Sequence, residues 1–506
     1  MAMFYRIHPG IGIARVGPSE DGYFLAGDTM SDSPFELDGD GKQVAFTGYK
    51  DVAMLLRRQA ARFRVFEYER NEATGVETLK REITAAEADI TWSVHLVAAK
   101  ASTNRGKVIP FGGQRTMTQG NEPRNPGVAA ATLRAEVTLQ AKGKNFQPTP
   151  GSEAKGTIRD KLLYIGEART DNAGRLLVLP GYGKSATWNG AELVNFYDNP
   201  GWYDDIADGP VDATLRIGGI DVQAERAWVI SAPPDFAPDT LALTSLYDLA
   251  LDAARAPLPA RWTYPQDIKP FFDRAAGLAQ VNEVDMNWLT CAQTLAQPDI
   301  DDNTSTEEAA ARRQDVYNAV LAGVGGMQDY ALTGRQKQML EDYLLGQFSK
   351  DADGRISPTF PQEIDRASLD RCVGGGFFPG IEAGHTLRLA GVLSGMRFSA
   401  GQFTDWDNKP NTMTAGLVTG RMACPWQADF IECAGNWWPA QRPDIAGRVG
   451  DEPGPQWARK LVVGREDTHK SRLNMVTHFG QLGLVTKNAD GTFTETGRDA
   501  RLDQLL

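Results

Sequence analysis

The period of the apolar residues changes once along this chain, near residue 240, and that change constrains the fold more than any other feature. Up to about residue 235, short apolar segments such as Arg226-Ala227-Trp228-Val229-Ile230 alternate with clusters of Gly, Asp, Asn and Pro, the pattern of short strands closed by turns. Asp38-Gly39, Asp40-Gly41 and Asp490-Gly491 read as hairpin turns, because none carries calcium-loop spacing with a Glu at the twelfth position. From Leu241 to Arg255 the apolar residues fall at helical spacing. Ser305-Thr306-Glu307-Glu308 reads as a capping box before an Ala-rich helix, and Thr333-Gly334-Arg335-Gln336 repeats that signal before Gln338 to Leu345. From about residue 355, Gly, Pro and aromatics return and periodicity weakens. Loops carried on a scaffold are where sites are usually built. The expectation is therefore an α+β chain, with a β-rich part over 1–235, a helical segment over 236–354 and a loop-rich catalytic part over 355–506.

Composition narrows the function. With 506 residues and 42% hydrophobic content, the chain can bury a core without disulfides or metal. A net charge of −12 argues against a phosphate-backbone partner, since nucleic-acid binding needs a basic face. Four cysteines are too few for a disulfide framework in a chain this long. The N-terminus lacks the apolar core of a signal peptide, and no apolar run approaches the roughly 18 residues of a membrane span. The expectation is a cytoplasmic protein with reduced thiols.

Nucleotide and metal motifs fail on inspection. Gly10-Ile11-Gly12 places its third glycine wrongly, at Gly17, and so short an N-terminus leaves no room for a preceding strand. Gly183-Lys184-Ser185 would need a glycine where Val178 stands. The five histidines, His8, His95, His385, His469 and His478, show no metal-ligand spacing. His385 stands apart only because it follows a Gly-rich stretch.

Chemistry concentrates in two places. Cys424-Pro425-Trp426-Gln427-Ala428-Asp429, then Cys433, then Trp437-Trp438-Pro439-Ala440-Gln441-Arg442-Pro443 gathers three Trp, two Cys, an Asp and an Arg. About fifty residues earlier stands Arg371-Cys372-Val373-Gly374-Gly375-Gly376-Phe377-Phe378-Pro379-Gly380. Read plainly, Cys372 is a small buried thiol beside a turn, Trp437-Trp438 is packing, and Asp429 is a cap or ion-pair partner. Read functionally, Asp429 is a carboxylate in an apolar pocket, its pKa raised toward general-base work.

Five blocks, in order, resemble the LodA-like quinoprotein amino-acid oxidases. They are Arg6-Ile7-His8-Pro9-Gly10-Ile11-Gly12-Ile13-Ala14-Arg15-Val16-Gly17; Ala227-Trp228-Val229 with Ala232-Pro233-Pro234-Asp235-Phe236-Ala237-Pro238; Arg371-Cys372-Val373-Gly374-Gly375 with Phe378-Pro379-Gly380-Ile381-Glu382; Pro425-Trp426-Gln427-Ala428-Asp429; and Trp438-Pro439. The resemblance implies a cysteine tryptophylquinone made from Cys372 and Trp438, with Trp437 as the fallback. Trp426, Cys424 and Cys433 are then site walls or plain structure. Where the family places an acidic residue one helical turn before the Cys, this chain has Ser368; Asp370 is the nearest carboxylate.

The implied reaction is oxidative deamination of a primary amine or amino acid through a Schiff base, releasing hydrogen peroxide and ammonia, with the cofactor as electron sink. Asp429 and His385 are the candidates for base and substrate contact. The resemblance also implies a flavoprotein partner for maturation and a homo-oligomer. The competing readings are a quinone-dependent dehydrogenase, a biosynthetic amine-modifying enzyme, a quinone-free binding protein on the same fold, or a β-rich structural protein.

Overall fold

The computed structural model describes residues 1–111, 114–149, 155–194, 196–283, 286–325, 331–374, 385–405, 408–430, 441–458 and 468–505. Its N-terminal part is built on a mixed sheet of 14 strands. Seven of them form the scaffold of the site: β1 (Ala2–His8), β2 (Ile11–Arg15), β3 (Arg58–Arg70), β4 (Asp89–Ala98), β5 (Ala135–Lys142), β6 (Asp208–Ile217) and β7 (Ala227–Ala232). They lie in the order β5-β4-β6-β7-β2-β3, with β1 paired to β3. All these pairs are antiparallel except β2 with β7, where Ile11 stands opposite Trp228 and Arg15 opposite Ala232.

The sequence explains which strands sit where. In β5 the residues alternate strictly between buried and exposed, so one face is solvated. β2 and β7 are buried at every position, which places them at the centre with both faces covered. β3 alternates Phe63 and Val65, in the apolar core, with Arg62 and Arg64. Those two buried guanidiniums are matched by Asp28, and each lies over an aromatic ring, Phe35 or Phe360. Burying charge this way is tolerable because it is paired.

The turns and caps follow local chemistry. Asp38-Gly39-Asp40-Gly41 joins two short antiparallel strands, and Asp490-Gly491 closes the hairpin Leu484–Lys487 with Phe493–Thr496. Gly41 and Gly491 take φ of +70° and +89°, which a side chain would strain. After the sheet come α1 (Leu246–Ala253), α2 (Lys269–Leu278), α3 (Met286–Leu295), α4 (Glu307–Val324), α5 (Gly334–Leu344), α6 (Phe360–Asp370) and α7 (His469–His478). Thr333 and Gln336 make the expected reciprocal cap on α5. Such a cap is worth about 1 kcal/mol.

Three expectations are corrected. The helix expected from Leu241 begins only at Leu246, because Ser245 caps it through Asp248. The cap of α4 is Thr306 rather than Ser305: its hydroxyl accepts from Ala309 N. A strand, β1, does precede Gly10; the dinucleotide reading still fails, because Gly12 lies inside a strand and not at the start of a helix. No described helix is long and apolar enough to cross a membrane.

Candidate active site

Helix α6 delivers Cys372 to the sheet. It ends at Asp370, and Cys372 N donates to Leu369 O at 3.1 Å. The chain then zips onto the segment before α1: Leu246 N donates to Cys372 O at 2.8 Å, and Gly374 N to Thr244 O at 3.0 Å. Glycine is required at 374 because a Cβ there would lie 2.1 Å from Ser245 O. Cys372 is fully buried and not disulfide-bonded, among Ile11, Ile13, Trp228, Ile230, Leu246 and Leu369.

The N-terminal signature fixes α6 in place. His8 Nδ1 pairs with Asp365 Oδ2 at 2.9 Å, Gly10 N donates to Asp365 Oδ1 at 2.7 Å, and Ser368 Oγ donates to Ile11 O at 2.8 Å. Arg15 closes the seam: its guanidinium donates to Arg371 O at 2.7 Å and to Pro233 O at 3.1 Å. The first, second and third sequence blocks are thus bonded to one another around Cys372.

Asp370 is buried and fully engaged. Ser245 Oγ donates to it at 2.6 Å, Arg274 at 2.9 Å and Arg366 at 3.0 Å. Arg274 also donates to Asp248 at 2.7 Å, so two carboxylates share it. Asp248 is held above the usual carboxylate range, chiefly by burial, against the pull of Arg274. Ser368 spends its hydroxyl on the backbone of β2.

The second candidate cluster is carried on the short turn Trp426–Phe430. Trp426 N donates to Asp204 Oδ2 at 3.0 Å, and that same oxygen takes Lys100 Nζ at 2.8 Å. Gln427 Nε2 donates to Gly183 O at 2.9 Å. The Trp426 ring packs against Phe430 and Phe479. Asp429 is buried, and Arg442 donates to its Oδ2 at 2.7 Å and to its carbonyl oxygen at 2.8 Å. Burial raises the Asp429 carboxyl above its ordinary pKa, and Arg442 opposes that rise. Its Oδ1 has no hydrogen-bond partner among the described residues, nor have Trp426 Nε1, Gln441 Oε1 and Arg442 Nε. So many orphaned polar atoms in one buried place suit a site built to hold something polar.

Phe236 N donates to Gln441 O at 3.1 Å, which joins the second block to the segment after the Trp pair. Trp437, Trp438 and Cys433 lie outside the described residues. So does the His385 side chain; the His385 backbone opens a short turn, His385–Arg388. Cys424 is buried, its thiol pushed up to about 12 by burial, and its Sγ faces Trp202 O. Sequence reasoning missed Asp205, two residues beyond Tyr203. Its Oδ1 is orphaned, Lys184 N donates to its Oδ2 at 2.9 Å, and burial lifts its pKa to about 7. Nothing in the local sequence marks it.

The chain thus joins a β-rich body that buries a cysteine thiol against its central strands to a helical and loop-rich part that buries a half-paired carboxylate. Residues 8–231 match the family description "L-Lysine epsilon oxidase N-terminal", and residues 314–457 match "L-lysine epsilon oxidase C-terminal domain". The chain belongs to the L-lysine epsilon oxidase family. It is 24% identical to the L-lysine 6-oxidase of Marinomonas mediterranea over 530 aligned positions, covering 85% of this chain and 71% of that one. Its fold superposes with a TM-score of 0.73 and 20% identity on the structure of the Schiff base intermediate of L-Lys epsilon-oxidase from Marinomonas mediterranea with L-Lys, covering 98% of this chain and 95% of that one. A crystal structure of the same oxidase gives 0.71 at 20% identity, covering 98% and 94%.

Proposed function

We propose that this chain is an amino-acid or primary-amine oxidase whose quinone is built from its own Cys372 and Trp438. The observation that carries the reading is that this family member buries both a disulfide-free Cys372 and, just ahead in sequence of the segment that holds Trp438, the carboxylate Asp429. The sequence relative is named as an L-lysine 6-oxidase, so lysine is the first substrate to try. The quinone would supply the electrophile and electron sink.

The chain's residues would do the rest. Asp429, with one oxygen held by Arg442 and the other unpartnered among the described residues, takes the proton from the amine-bearing carbon at Oδ1. Arg442 keeps the carboxylate oriented and ionised. The aromatic wall of Trp426 and Phe430 keeps water from the base. A flavoprotein partner performs the oxidation of the tryptophan, and the mature protein is a homo-oligomer.

The test is intact mass together with oxygen consumption. The mature chain should exceed its encoded mass by roughly 28 Da, from two added oxygens less four hydrogens, two displaced by the carbonyls and two lost with the thioether. A primary amine should bleach its visible band without oxygen and consume oxygen in air. A mass equal to the encoded chain, with no band, sinks the reading. A second reading, a family member without oxidase activity, is favoured by Ser368, which stands where the resemblance implies an acidic residue, and by Asp370, which is taken by three donors. Bleaching without oxygen uptake would mark a dehydrogenase instead.

A further inference from the structure

A cavity of about 360 Å³ lies beside β2, lined neither by Cys372 nor by Asp429. Its size falls in the range of small-molecule sites. Three of the sequence blocks meet in its wall: Arg15 from the first, Asp235 from the second and Arg371 from the third. Tyr49, Asp239 and the 30–34 loop also line it.

Arg371 directly precedes Cys372 and is an unusual cation. Its guanidinium donates to three backbone carbonyls, Gly27 at 2.6 Å, Thr29 at 2.8 Å and Asp32 at 3.3 Å. Among the described residues no carboxylate comes within 4.0 Å of it. Burial lowers its pKa, so the protein holds this charge at a cost. Arg57, in the same wall, is by contrast matched by Glu36 at 2.8 Å. Three of the five N–H groups of Arg371 are used, which leaves two for a ligand. Asp235 and Asp239 also line the cavity and, after burial, push the Tyr49 phenol upward. An unneutralised guanidinium with carboxylates nearby suits a ligand carrying one charge of each sign. A phosphate or nucleotide would meet Asp235 and Asp239.

Resting on the amine-oxidising reading, we propose that this cavity receives the carboxylate of an amino-acid substrate and that Arg371 is its anchor. Arg371 is then the residue that makes the protein prefer an amino acid over the same amine without a carboxylate. A guanidinium–carboxylate pair is among the stronger recognition contacts, and its fork geometry selects a planar anion.

The test uses the full-length protein and ligands that do not react. N,N-dimethylglycine keeps the carboxylate, and its tertiary amine cannot condense with a carbonyl; trimethylamine lacks the carboxylate. Calorimetry should show the wild type binding N,N-dimethylglycine at least about tenfold more tightly than trimethylamine. Arg371→Gln should abolish that preference. Ser33→Trp, on the exposed rim, should block N,N-dimethylglycine while the melting temperature stays within about 2 °C of wild type. Should Arg371→Gln fail to fold, the wild-type ligand pair and Ser33→Trp still decide the matter. Equal binding of the two probes by the wild type, or unchanged binding in folded Arg371→Gln or in Ser33→Trp, overturns the proposal. Oxygen uptake separates the anchor from the oxidase reading on which it rests. If the binding pattern holds and no amine consumes oxygen, the cavity assignment stands and the oxidase reading falls. If lysine and 1,5-diaminopentane are oxidised with equal KM, the oxidase reading stands and the anchor falls.

Discussion

Arg442 grips Asp429 twice, through the carboxylate and through the backbone carbonyl, from thirteen residues further along the chain. The two residues flank the segment that contains Trp437 and Trp438. The grip leaves one carboxylate oxygen unpartnered among the described residues, in surroundings that raise its proton affinity. On the proposed reading it therefore sets both where the base stands and how strong it is.

Asp429→Asn should lower kcat with a primary amine by about a hundredfold or more. Full turnover in that variant would remove Asp429 from the reaction. Arg442→Gln should keep the carboxylate but remove the charge that opposes its raised pKa. The acidic limb of the kcat/KM–pH profile should then move to higher pH by about one unit or more. An unmoved limb means that another group titrates there.

Expression conditions should control colour. Produced alone, the chain should be colourless and of encoded mass; produced with its flavoprotein partner, it should gain roughly 28 Da and a visible band. Cys372→Ser should remain without the band and the full mass increase even when produced with the partner. A fully coloured product from the chain alone would rule out the need for a partner.

Asp205 makes stability fall as pH rises. Its folded pKa of about 7 lies above the ordinary carboxylate value, so between those values the folded state binds more protons than the unfolded. The slope of unfolding free energy with pH is then negative across that window: the contribution is complete below about pH 4 and lost by about pH 7. Asp205→Asn should stabilise the protein at pH 8 relative to pH 5 by at least about 1 kcal/mol compared with wild type. Denaturant melts at the two pH values read this directly, and parallel behaviour of variant and wild type would contradict it.

Asp370 holds together the junction of α1, α2 and α6. Asp370→Ala leaves Arg274 and Arg366 without their shared carboxylate and should cost about 3 kcal/mol. Urea unfolding measures it, and a loss under about 1 kcal/mol would mean the network relaxes around water.

Much of the scaffold was legible because it rests on local chemistry. Asp-Gly turns need positive φ, and Thr333 with Gln336 caps α5 from three residues away; both can be read in short windows. Cys372, Asp429 and their blocks were legible as unusual residue clusters. What was hidden is what long-range contact decides. Arg371 finds its three carbonyls 339 to 344 residues earlier, and no local pattern announces that. Asp205 looks like any acidic turn residue until the sheet buries it. The strand ahead of Gly10 was missed because β1 is recognisable only by its partner β3.

The first strands made are among the last to be completed. Gly10, Ile11 and Arg15 wait for Asp365, Ser368 and Arg371, across 355 to 357 residues of chain. Contacts this distant close slowly, since the entropy of the whole intervening loop must be overcome before they form. Cys372 therefore has no seat in any nascent fragment that ends before α6. On the proposed reading, oxidative tailoring at that thiol follows folding rather than guides it, and the partner that performs it recognises a folded surface, not a peptide.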